Sequence, residues 1–81
     1  MDQGQNDTIE KLAALVKGSN EVAFNSLFNQ LWEPMFGYAK SILMDEALSQ
    51  DIVQNVWVDY WNRRKQIETT NIKAYLFKAT R

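Results

Sequence analysis

Apolar residues recur along this chain at helical spacing, with no run of strict alternation that would mark a strand. The first helix is expected to open at Asp7, with Glu10 three residues on as a capping-box-like pair, and to stop at Lys17-Gly18. The residues before it, 1–6, read as a flexible lead. Ser19 or Asn20 caps a second helix, in which Phe24, Leu27, Phe28, Leu31, Met35, Ala39 and Ile42 keep helical spacing through to Leu43. Pro34 lies inside that pattern, lacks a backbone donor and predicts a kink around Leu31 to Trp32. A third helix begins near Asp45 and reaches about Arg64. The polar connector KQIETTN follows, and Thr70 or Asn71 then caps a fourth helix carrying Ile72, Tyr75, Leu76 and Ala79 on one face. Short connections between such helices imply an all-α fold, a small antiparallel bundle of four helices. No glycine, asparagine or polar tail follows Ala79-Thr80-Arg81, so the fourth helix reads as cut and the sequence as the N-terminal fragment of a longer protein.

The third helix does not fit one face. At 100° per residue from Ile52, Val53, Val56, Trp57 and Tyr60 fall at about 100°, 40°, 140° and 80°, forming a stripe that Leu48 extends. Val58 lands near 240° and Trp61 near 180°, among Asp51, Gln54 and Asn55. A merely solvated face would favour Lys, Glu or Ala there. An interface explains the mixture, with the aromatic as anchor and the polar groups setting register. The other reading folds Trp61 back under the following connector and leaves Val58 a single harmless exposure.

The fourth helix raises a similar question. Lys73 and Phe77 fall on its polar side, with Lys78 and Arg81 nearby. An aromatic flanked by cations suits single-stranded nucleic acid, where bases stack and phosphates are neutralised. The same ring could instead pack on a neighbouring helix, and spacing does not choose between the two.

Charge sharpens this picture. The 81 residues carry a net charge of −1, but Met1 to Asp59 holds nine acids and three bases, while Tyr60 to Arg81 holds six bases and one acid. The basic end is therefore available to a polyanion, the other reading being a chance scatter of surface charge. With no Cys and no His, disulfides, thiolate metal sites and the commonest general base are all excluded. The serines lack an activating histidine, the acids of the third helix point to different sides, and there is no glycine-rich phosphate loop. Neither an enzyme nor a cofactor or metal site is expected. The longest apolar run, Leu12 to Val16, is far too short for membrane insertion, and the polar, acidic start MDQGQND is unlike a secretory signal, so a cytoplasmic protein is expected.

The run Ala47-x-x-x-Asp51-Ile52-Val53-Gln54-x-Val56-Trp57-x-x-x-Trp61 closely resembles the DIVQ-type signature in region 2 of bacterial sigma factors of the extracytoplasmic-function (ECF) group. Its flanks agree: Ala23-Phe24-x-x-Leu27-Phe28, Pro34 and Tyr38-Ala39-x-x-Ile42-Leu43 before it, and Ile72-x-Ala74-Tyr75-Leu76-Phe77-x-Ala79-x-Arg81 after it. The resemblance covers roughly Gly18 to Arg81. It implies that Asp51 and Gln54, with Asn55, Val58 and Trp61 on the same face, dock on the clamp helices of the RNA polymerase β′ subunit. It also implies recognition and melting of the promoter −10 element, with a flipped non-template base held near the connector, Ile67, Glu68, Thr69, Thr70 and Asn71. Arg63, Arg64, Lys73, Lys78 and Arg81 would then lie near phosphates, with Phe77 among them. An anti-sigma factor is a further implied partner. The family's continuation past Ala-x-Arg and its second domain, a helix-turn-helix, are not in this sequence, so polymerase affinity with weak DNA binding is expected. Two alternatives stand beside this reading. One is a helical protein-interaction module that never touches DNA. The other is a phage or plasmid regulator of another helical DNA-binding fold, which has no reason for the outer face of the third helix.

Overall fold

In a computed structural model that describes residues 2–80, with side chains from Thr8 onward, the chain forms four α-helices and, among the described residues, no strand. They are α1 (Asp2–Lys17), α2 (Glu21–Leu43), α3 (Glu46–Asn62) and α4 (Ile72–Thr80). The first helix thus opens at Asp2 rather than Asp7, and the expected flexible lead is part of it from Asp2 onward. A capping pair marks a permitted start and does not stop a helix from beginning further upstream.

Local chemistry fixes the turns. α1 ends in a left-handed residue, but at Ser19 (φ 72°) rather than Gly18. Ser19 N–H donates to Val16 O (2.8 Å) and Asn20 N–H to Leu15 O (3.0 Å), the paired bonds of a Schellman end. Asn20 then caps α2, its side-chain oxygen accepting from Ala23 N at 3.0 Å. α2 runs through Pro34 and closes at Met44, also left-handed (φ 56°). Asp45 caps α3 by accepting from Leu48 N at 2.9 Å. With so few residues between them, α1 with α2 and α2 with α3 form helical hairpins. α2 is central, packing on α1, α3 and α4, and α4 also touches α1 and α3.

The core is one cluster: Ile9, Ala13 and Val16 from α1; Ala23, Leu27, Leu31, Met35 and Ala39 from α2; Val53, Trp57 and Tyr60 from α3; Ile67 from the connector; Ile72 and Leu76 from α4. The α2 stripe agrees with its spacing except at Ile42, which lies 48% exposed near the helix end. On α3 the buried face is rotated a few tens of degrees from the expected stripe. Leu48 is exposed, Ile52 and Val56 are half-buried, and Ser49 is fully buried instead. On α4, Ala79 is exposed and Thr80 buried. Both buried hydroxyls satisfy themselves on their own helix: Ser49 Oγ donates to Asp45 O (2.6 Å) and Thr80 Oγ1 to Leu76 O (2.8 Å).

Burial pushes the Tyr60 phenol up from its ordinary 10.0 to about 12. Folding favours the protonated form, so this contribution to stability is complete below about pH 10 and disappears as pH rises towards about 12. Denaturant unfolding across that window should show a stability loss that Tyr60→Phe diminishes; an identical alkaline slope in both proteins would contradict the burial.

Candidate functional site

The outer face of α3 does not stand alone. Gln54, Asn55, Val58 and Trp61 line one groove of about 500 Å³ with Phe24, Asn25 and Phe28 of α2, and with Trp57 and Asn62. Helix pairing produces this arrangement, because α3 packs beside α2 and the margin of its core stripe meets the margin of the α2 stripe. A second depression of about 370 Å³ shares Phe28 and Gln54 and continues past Trp32, Phe36, Gln50 and Val53. Its α2 wall is a ladder at four-residue spacing, the helical neighbour distance. Phe28 and Trp32 stack at 6.3 Å and 13°, Trp32 and Phe36 follow at 6.0 Å, and Lys40 Nζ lies 5.4 Å from the Phe36 ring centroid. Of the five residues expected to face a protein partner, Asp51 alone lines neither depression; it is exposed on the same helix.

Burial separates the two odd apolar residues of α3. Val58 is 60% exposed. Trp61 is half-buried, 5.0 Å from the Phe24 ring, with the Arg64 guanidinium 4.1 Å from its own ring centroid. Trp61 is therefore partly covered by Arg64, just before the connector, while still lining the groove. Trp57 forms the groove floor. It is 3% exposed and meets Phe24 and Phe28 edge-on, and its Nε1 is buried without a hydrogen-bond partner.

The basic end is more divided. Arg63 is exposed and its Nη1 pairs with Asp59 Oδ2 at 3.1 Å. Arg64 is turned towards Trp61 and Ser19, its Nε donating to Ser19 Oγ at 2.9 Å. Ile67, expected near a flipped base, is 6% exposed and belongs to the core. Glu68 and Thr70 are exposed and Thr69 is half-buried, while Asn71 is exposed in the left-handed region (φ 61°), with its carbonyl accepting from Tyr75 N at 3.1 Å. Asparagine tolerates that conformation better than most residues. Lys65, Lys73 and Lys78 are exposed. Arg81 lies outside the described residues.

Asn71, Lys73 and Phe77 come together in a third depression, of about 410 Å³, between the start of α4 and α1. α1 contributes Ile9 and Glu10 to it. Glu10 places a carboxylate in the same depression as Lys73, which was expected to meet a phosphate. Phe77 is half-buried, packed on the core, with its ring 5.6 Å from Tyr38.

Spacing along single helices picks out the polar half of the α3 groove but not Phe24 and Phe28, which belong to the α2 stripe by period, nor Trp32 and Phe36, which lie just beyond its edge. Among the described residues no three or more His, Cys, Asp or Glu side chains stand where they could hold a metal ion. Among the described residues no helix is long and apolar enough to cross a membrane. Neither a known protein family, nor a characterised protein, nor a solved structure matches the chain.

Proposed function

We propose that this chain is a region 2 domain of an ECF-group sigma factor, which docks on the β′ clamp helices of RNA polymerase and takes part in recognising and melting the promoter −10 element. One observation supports it most: the exposed Val58, the half-buried Trp61 and the amides Gln54 and Asn55 share one groove with the aromatic edge of α2. An apolar trough edged by amides suits a helical partner that buries its own apolar stripe and is fixed in register by hydrogen bonds. Asp51, beyond the trough, would meet a cation at the rim. The DNA side is carried by the exposed Lys65, Lys73 and Lys78, with Thr70 and Asn71 beside them.

A second reading has its own support. Arg63 is paired with Asp59, Arg64 is turned towards Trp61, and Phe77 packs against Tyr38. Those contacts suit a helical interaction module that uses the same groove and never touches DNA.

Two measurements test and separate these readings. Asp51→Ala and Gln54→Ala should each weaken retention of core polymerase while shifting thermal stability by less than about 0.5 kcal/mol, as exposed polar positions do. Full retention with both variants would mean that the groove is not the docking surface. Lys73→Ala should reduce the salt slope of single-stranded DNA binding by about one charge. A chain with no salt-dependent DNA affinity would leave the interaction module.

A further inference from the structure

Arg64 lies just past the C-terminal cap of α3, and the family resemblance implies a place for it beside DNA phosphates. Its guanidinium is committed elsewhere. Cζ lies 4.1 Å from the Trp61 ring centroid, Nη1 donates to Trp61 O at 2.7 Å, and Nε donates to Ser19 Oγ at 2.9 Å. The first two contacts serve one residue. The cation covers the indole face, and the fork satisfies a last-turn carbonyl of a helix that has no basic residue in its last turn. The third spans 45 positions and ties the end of α3 to the turn between α1 and α2. That anchor is itself fixed, since Ser19 is the left-handed residue of the Schellman end, held by its own N–H on Val16 O. Lysine could not reproduce this set, because it has neither a planar face to stack nor a rigid fork of donors.

We propose that Arg64 is a positioning residue of the α2–α3 groove: stacked on Trp61 and latched to Ser19, it holds the indole against Phe24 as a fixed wall for the docking helix, and is not a phosphate contact. This rests on the reading of the groove as the polymerase surface. Partner affinity then depends on a residue outside the groove lining, through the lower cost of docking on an indole already immobilised. Arg64 carries a positive charge beside the groove without presenting it to DNA.

The test uses the full chain labelled with fluorotryptophan, whose three fluorine resonances are assigned by substitution (Trp32, Trp57, Trp61). In Arg64→Ala the Trp61 resonance should move towards the position of the free amino acid while those of Trp32 and Trp57 stay. Affinity for a β′ clamp-helix fragment should fall about fivefold, the size of an exposed cation–π contact. The salt slope on single-stranded DNA should not change. Arg64→Lys should restore neither the resonance nor the affinity, and Ser19→Ala should shift both in the same direction by less. An unmoved Trp61 resonance with a salt slope reduced by about one charge would overturn the proposal and return Arg64 to the phosphates. So would full recovery in Arg64→Lys, since charge alone would then suffice. Should Arg64→Ala fail to fold, Ser19→Ala carries the test, because it removes only a hydroxyl from an exposed turn: an unmoved Trp61 resonance and unchanged clamp affinity there overturn the latch. If the unmodified chain does not bind the clamp fragment, the functional reading fails, and the fluorine signal alone still decides whether Arg64 fixes Trp61.

Discussion

Trp57→Ala is expected to cost on the order of 3–5 kcal/mol of stability, the range for removing a large aromatic from a core. Trp57 is 3% exposed, and its ring is surrounded by Phe24 at 5.7 Å, Phe28 at 5.4 Å and Tyr60 at 5.8 Å, all edge-on or nearly so. No small movement closes that space, because Phe24 and Phe28 are fixed one turn apart on α2 and Tyr60 on α3 itself. A domain of this size has only about 4–12 kcal/mol in total, so the variant should be largely unfolded or melt more than about 10 °C below the parent. Trp57→Phe should do far less harm. It keeps most of the aromatic contact and removes an indole N–H that is buried without an acceptor, and burying such a group costs about 1–3 kcal/mol. A Trp57→Ala protein melting close to the parent would mean that the α3 face is assigned wrongly by about a quarter turn.

Val58→Glu should have the opposite profile. Val58 is 60% exposed on α3, and glutamate is the better helix former, so stability should stay within about 0.5 kcal/mol of the parent. Partner binding should fall by on the order of a hundredfold, because the change puts an unpaired carboxylate against a desolvated apolar surface between Gln54 and Trp61. The two substitutions lie one residue apart on the same helix. One should unfold the protein and spare nothing, and the other should spare the fold and remove the interaction.

That separation shows what the sequence could and could not disclose. Val53, Trp57 and Tyr60 were legible as core and Val58 as exposed, because a 3.6-residue period assigns a side to every position of a long helix. Ser49 and Thr80 were not. A hydroxyl counts as polar in a periodicity reading, yet each here donates to a carbonyl four residues back and enters the core with its polarity satisfied. Burying them turned Leu48 and Ala79 outward. The partners of the groove were hidden for a different reason. Phe24 and Phe28 have the spacing of core residues, and only the lateral placement of α3 on α2 decides that one edge of each ring borders a trough. The Arg64–Ser19 contact joins residues 45 apart and no local pattern encodes it. Ile67 was placed near a base through resemblance alone, whereas the structure has it anchoring the connector to the core.

A calorimetric titration of this chain with a β′ clamp-helix fragment, run in parallel on Val58→Glu and Lys73→Ala, decides whether the α2–α3 groove is the polymerase-docking surface. The parent should bind saturably and one-to-one, Val58→Glu should lose that binding with an unchanged melting temperature, and Lys73→Ala, whose side chain lies in the separate depression between α1 and α4, should keep parent-like affinity. No binding by the parent, or equal binding by the parent and Val58→Glu, would contradict that assignment.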